Sequence, residues 1–123
     1  MKMVRVTTLD KIGEDERGAT HYFDMDRSGQ FIVAYRKAGS VSGQHYHKGI
    51  APKKNPEKII VMQGEAVLNW KDVQSTAAGS VLIKAPALVE IDPYAWHEVI
   101  SKTDIIIFEM NGLEDAKEDT FRL

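Results

Sequence analysis

Short apolar segments, each closed off by a chain breaker, constrain this sequence more than anything else in it. Runs rich in Val, Ile, Phe and Tyr recur at Val4–Thr8, Ala19–Asp24, Gln30–Lys37, Ser42–His47, Glu57–Gln63, Glu65–Lys71, Ser80–Lys84, Ala87–Asp92, His97–Ser101 and Asp104–Met110. Between them lie Asp15-Glu16-Arg17-Gly18, Ser28-Gly29, Gly39, Pro52 to Pro56, Gly64, Gly79, Pro86, Pro93 and Gly112. Runs of four to eight residues bounded by turn formers predict an all-β sandwich or barrel. No stretch long enough for a helix of about a dozen residues keeps a helical period, so helix is expected to be minor. The charged tail Glu114–Asp119 could form one helical turn or a solvated end.

With 123 residues and no linker, repeat or low-complexity segment, the chain reads as a single domain over 1–123, its barrel occupying about residues 30–110. A 43% hydrophobic content is enough for a core, and a net charge of −2 gives no basic field for nucleic acid. The absence of cysteine removes disulfides, thiolate ligands and thiol nucleophiles, so any metal must rest on His and carboxylate. The first residues lack the apolar stretch of a signal peptide, and no run approaches a membrane span, so a cytoplasmic protein that does not contact membrane is expected.

Two strands are apolar in both phases. In Glu57–Gln63, Ile59 and Val61 point one way and Ile60 and Met62 the other, and Ile105–Phe108 behaves likewise. Such strands need a second layer outside the barrel. A homodimer would supply it, as would the chain's own terminal segments.

The residues suited to chemistry begin with His45-Tyr46-His47. In a strand, positions i and i+2 leave on the same face, so the two imidazoles point together and can share a divalent ion. Surface or core histidines would produce the same pattern. Glu57 opens the next strand and can return beside the pair, and His97 follows Pro93 at a late strand. Taken singly, the first could be a solvated strand end and the second a satisfied core residue.

These positions resemble the first cupin motif, G-x5-H-x-H, a spacer, then E-x6-G: Gly39 precedes His45 and Glu57 precedes Gly64 at those intervals. Gly79 to Pro86, then Pro93 leading to His97, is similar to the second motif. The resemblance implies a double-stranded β-helix, the cupin jelly-roll barrel. It further implies one divalent transition metal ion (Zn, Mn, Fe, Ni or Cu) on His45, His47, Glu57 and His97. The sequence departs from the pattern in three places. The spacer Lys48–Pro56, nine residues, is longer than usual; Tyr94 stands where a glycine normally precedes the last His; Ser101 stands in place of a common Asn.

Asp15-Glu16-Arg17-Gly18 resembles the D-x-R-G of deoxysugar epimerases and ketoisomerases, and reads equally as a polar turn. Ser42 to His47 followed by Glu57-Lys58-Ile59-Ile60-Val61 looks like the cupin domain of capsular polysaccharide enzymes, with Ser42 in place of their usual Arg. The resemblance implies a small-molecule enzyme acting on a sugar derivative by isomerisation or epimerisation. An iron-dependent dioxygenase and a non-catalytic ligand-binding cupin are the alternatives. Tyr35 and Trp96 are candidate substrate-stacking aromatics, His21 a candidate base, and Lys48, Lys53 and Lys54 a candidate anion-attracting run at the mouth. Core packing or solvation would account for each of these as well, and no catalytic acid or base is assigned.

Overall fold

The structure, a computed structural model, describes residues 2–123. Eleven strands follow in order: β1 (Val4–Thr8), β2 (Asp10–Asp15), β3 (Gly18–Tyr22), β4 (Ile32–Arg36), β5 (Val41–His45), β6 (Glu57–Gln63), β7 (Glu65–Asp72), β8 (Ala78–Lys84), β9 (Ala87–Ile91), β10 (Ala95–Ser101) and β11 (Ile105–Glu109). A short helix, α1 (Leu113–Glu118), follows. The strands form a five-stranded sheet in the order β1-β9-β6-β11-β4, a four-stranded sheet in the order β5-β10-β7-β8, and a separate hairpin of β2 with β3. Every pairing is antiparallel. The two larger sheets face one another as the jelly-roll of a cupin.

Alternation along the strands decides what enters the barrel. In β10, Ala95, His97, Val99 and Ser101 are buried while Trp96, Glu98 and Ile100 are only partly so. The core between the sheets is aliphatic, with Leu68, Ile83 and Val89 fully buried. Burying a side chain of that size stabilises by roughly 1.5–3 kcal/mol. The tight β6–β7 connection needs Gly64: its φ is +92°, and a Cβ there would fall 2.2 Å from the Asp104 carbonyl oxygen. This accounts for the last glycine of the first motif.

The outer face of the five-stranded sheet is covered at one end only. Ile60 is buried, whereas Met62, Val33 and Tyr35 are exposed. The segment after the hairpin lies over the covered end: Phe31 packs edge-on to Phe108 at 5.5 Å, Asp26 approaches Lys58, and Arg27 donates to the carbonyls of Lys53 and Pro56. The second layer expected over β6 and β11 is thus supplied in part by the chain itself.

One local expectation differs from the structure and one open choice is decided by it. Asp10–Asp15 is a strand that its exposed, charged composition concealed, because it pairs only with β3 and buries nothing. For the tail, where the sequence allows both a helical turn and a solvated end, the structure has the helix, Leu113–Glu118. Among the described residues no helix is long and apolar enough to cross a membrane.

Candidate metal centre

His45 ends β5, His47 lies two residues beyond it, His97 sits in β10 opposite His45, and Glu57 opens β6 on the other sheet. Both sheets therefore contribute. The His45, His47 and His97 ligand nitrogens lie within 4.8 Å of one another. Glu57 Oε1 lies 3.2 Å from His47 Nε2 and 3.3 Å from His97 Nε2, so the long spacer does not remove Glu57 from the cluster. His47, Glu57 and His97 are buried. Gly43 permits the approach of β5 to β10: with φ +85°, a Cβ would meet the His97 carbonyl oxygen at 3.0 Å, beside an irregularity in the pairing.

The tautomers of the two buried histidines are fixed from behind. His47 Nδ1 faces the carbonyl oxygen of Asp119, and His97 Nδ1 lies 2.9 Å from that of Ala95. A carbonyl only accepts, so each Nδ1 carries a proton; Nε2 then either presents a lone pair inward, as a metal ligand must, or carries a second proton and donates to Glu57 Oε1. The third atom at that point, Glu57 Oε1, is also an acceptor. Three lone-pair donors converging in a buried site repel one another until a cation or added protons occupy the space between them. Metal bonds of about 2.0–2.1 Å place neighbouring ligand atoms of a tetrahedron about 3.3 Å apart, the separation of Glu57 Oε1 from His47 Nε2 and His97 Nε2, while the ligand nitrogens of the three imidazoles lie within 4.8 Å of one another. The residues fit a divalent transition ion.

Glu57 divides its oxygens. Oε1 faces the imidazoles, while Oε2 accepts from Lys54 Nζ at 2.7 Å and from Asn111 Nδ2 at 3.4 Å. Burial works to raise the carboxyl's pKa, but the His47 and His97 hydrogen bonds and the Lys54 charge outweigh it and hold it well below the usual carboxylate range. Burial, with His97 and His47 adding to it, pushes His45 down to about 3, so it stays neutral and able to coordinate.

The C-terminal segment braces this arrangement. Asp119 is fully buried; its carboxylate accepts from the backbone N–H groups of Lys48 (2.7 Å) and Ala51 (3.1 Å), while its own carbonyl holds His47. Tyr46 and Phe121 exchange backbone hydrogen bonds beside it. Tyr94, in the usual glycine position, keeps the glycine-like backbone at φ +67°, donates its N–H to the His47 carbonyl at 2.7 Å and stacks on Tyr46. A left-handed non-glycine residue costs roughly 1–2 kcal/mol, which these contacts offset. At Ser101 the expected Asn is replaced by a buried hydroxyl 3.3 Å from that of Ser40.

A cavity of about 250 Å³ opens from the cluster between the sheets. Its walls are partly aliphatic (Ile32, Ile59, Ile91, Val99 and Ile107) and carry Arg36, Lys54, Glu109 and Asn111. Glu109 makes no hydrogen bond or ion pair among the described residues, and Asn111 Oδ1 is the one buried side-chain polar atom described there without a partner. A larger groove of about 610 Å³ between β1 and β8 contains none of the candidate ligands.

Several expected site residues lie elsewhere. Tyr35 falls between the inward Ala34 and Arg36, projects from the outer face and is 72% exposed. Trp96 is adjacent to the inward His97 and so points out of the barrel, where Lys71 lies 5.0 Å from its ring. Neither lines the cavity, so neither can stack a substrate in it. His21 belongs to the separate hairpin and is no base for this site. The lysine run is divided: Lys48 and Lys53 cover Phe121 and Phe31, and Lys54 alone turns inward. Asp15 and Arg17 pair with each other in an exposed turn that Gly18 closes at φ +131°.

A family model described as polysaccharide biosynthesis C-terminal domain matches residues 13–121. The chain belongs to that family. No curated protein matches it. Among solved structures, a 3,4-ketoisomerase from Helicobacter canadensis is similar at 16% identity and a TM-score of 0.71, over 98% of this chain and 90% of that one. The 3,4-ketoisomerase QdtA of Thermoanaerobacterium thermosaccharolyticum, in complex with TDP-4-keto-6-deoxyglucose, is similar at 14% identity and a TM-score of 0.70, over 100% and 89%. CapF, a capsular polysaccharide assembling protein from Staphylococcus aureus, shares 24% identity at a TM-score of 0.61, over 94% of this chain and 34% of its own. This family member thus spans about a third of CapF, and at these identities the likenesses establish its fold.

Proposed function

We propose that this chain holds one divalent transition metal ion on His45, His47, His97 and Glu57 Oε1, and isomerises or epimerises a keto sugar at that site. The observation that carries the reading is the convergence of His47 Nε2, His97 Nε2 and Glu57 Oε1, with both tautomers fixed, at the inner end of a cavity. The family, and the ketoisomerases among the structural neighbours, favour sugar chemistry over dioxygenation. A bound ion supplies Lewis acidity, which polarises a carbonyl and favours loss of the proton beside it. The chain's own residues do the rest. Lys54 and Asn111 hold Glu57 Oε2 so that one oxygen faces inward, Asp119 and the Ala95 carbonyl orient the imidazoles, and aliphatic walls exclude water from the reacting carbon. A cavity of about 250 Å³ is small for a ligand site, which suits one sugar ring better than a whole nucleotide sugar. The nucleotide of an activated sugar stays outside the barrel.

The test is incubation of metal-replete protein with TDP-4-keto-6-deoxyglucose in D2O without oxygen, followed by proton NMR. Deuterium uptake beside the ketone and a new keto-sugar isomer are expected. An unchanged sugar contradicts the reading, and turnover that requires oxygen supports the dioxygenase instead.

A homodimer completes the proposal. Val33, Tyr35 and Met62 form an exposed apolar area on the outer face of the five-stranded sheet, which a second copy would bury. Light scattering is expected to give twice the chain mass, falling to one chain in Met62→Glu.

A further inference from the structure

Glu109 occupies an unusual position. On β11 the inward residues are Ile105, Ile107 and Glu109; the first two are core, and the third reaches the cavity. It is paired in register with Ile59, so Glu57 is its diagonal neighbour on the same face, with about 7–8 Å between the two positions. Both oxygens of Glu57 are engaged, whereas the Glu109 carboxyl has no partner among the described residues. A half-buried carboxyl without a protein hydrogen bond costs stability when it ionises, and a group of that kind in a cleft is a candidate for chemistry.

Resting on the keto-sugar reading, we propose that Glu109 is the catalytic residue that carries the proton between adjacent carbons of the substrate. A ketone oxygen directed to the imidazole corner leaves its neighbouring carbon on the side of the cavity that Glu109 lines. The Glu109 carboxylate takes the hydrogen of that carbon as a proton; the C–H pair becomes the C=C bond and the carbonyl π pair moves onto oxygen, giving an enediolate. Glu109 then returns the proton to the former carbonyl carbon, and the hydroxyl proton passes between the two neighbouring oxygens. Ketone and alcohol have exchanged places, with no net change in oxidation state and no co-reactant.

The environment agrees with this duty. Burial, and then the charge of Glu57, raise the Glu109 pKa, against Lys54, Arg36 and His47, which lower it. A carboxyl moved upward in this way is a stronger base than an exposed one.

The experiment compares wild type, Glu109→Gln and Glu109→Asp, all metal-replete, with TDP-4-keto-6-deoxyglucose in D2O. Glu109→Gln is expected to slow deuterium uptake and turnover at least ~100-fold, with KM within about threefold, metal content unchanged and Tm equal or higher. Glu109→Asp is expected to recover part of the rate. Exchange by Glu109→Gln within about threefold of wild type overturns the assignment and leaves the keto-sugar reading standing. Absence of both exchange and isomerised product in wild type overturns that reading and the role of Glu109 with it.

Discussion

The two sheets that enclose the cavity divide its chemistry. The four-stranded sheet brings His45 and His97, neutral nitrogen donors, with His47 just beyond the end of β5. The five-stranded sheet brings the acids Glu57 and Glu109, with Asn111 after its last strand. On the imidazole side both buried rings are fixed from behind by carbonyl oxygens. On the acidic side, Glu57 is saturated by Lys54, Asn111 and the two imidazoles, while Glu109 has no partner. Saturated groups hold their positions and can orient an ion, whereas an unsaturated carboxyl in a cavity is free to exchange a proton. On the proposed reading, the contrast separates a binding half of the site from a reacting half.

Substitutions can break that contrast, and the largest effect is expected at its rigid end. His97→Ala removes a ligand from a set of four, so the metal bound per chain should fall from about one to below about 0.1 by elemental analysis. Glu57→Gln removes the only anion among the ligands and leaves Lys54 buried without its counter-charge. Breaking such a pair costs about 3–5 kcal/mol, to be read from urea unfolding of the metal-free protein. Asp119→Ala leaves every ligand in place but frees the loop that carries His47. A loss of about 10–100-fold in metal affinity, measured by chelator competition, is expected.

A pH titration sharpens the same picture. His45 has a folded pKa of about 3, below its unfolded value near 6.5, so the unfolded chain binds more protons between those values. The contribution of His45 is complete above about pH 6.5 and is lost progressively as pH falls toward 3. Metal-free protein should therefore lose stability across that window, and His45→Gln should flatten the profile. The smallest effects belong outside the barrel: Tyr35→Phe and Trp96→Ala should leave KM within about twofold, because both rings point away from the cavity.

Those two aromatics show where sequence reasoning failed and why. Side chains alternate along a strand, so an inward His97 requires an outward Trp96; composition suggested a stacking ring, and phase excludes it. The same rule makes Glu109 legible in retrospect, as a charged residue in the inward phase of Ile105 and Ile107. Most of the barrel could be read directly, because alternation and breakers are local: Val4–Thr8 and Glu57–Gln63 have the expected limits. Strand β2 could not, since a hairpin that buries nothing carries no apolar signal. The convergence of His45, His47, Glu57 and His97 followed from motif spacing, but the contacts that prepare them did not. Lys54 lay hidden in a loop of solvated composition, and Asp119 acts from 72 residues beyond His47.

The central claim is that these four side chains together bind one metal ion. Elemental analysis of protein purified under metal-replete conditions, beside a His45→Ala/His47→Ala variant, addresses it most directly. The account predicts one transition metal ion per wild-type chain and none in the variant; wild-type protein without stoichiometric metal, or a variant that retains it, would contradict it.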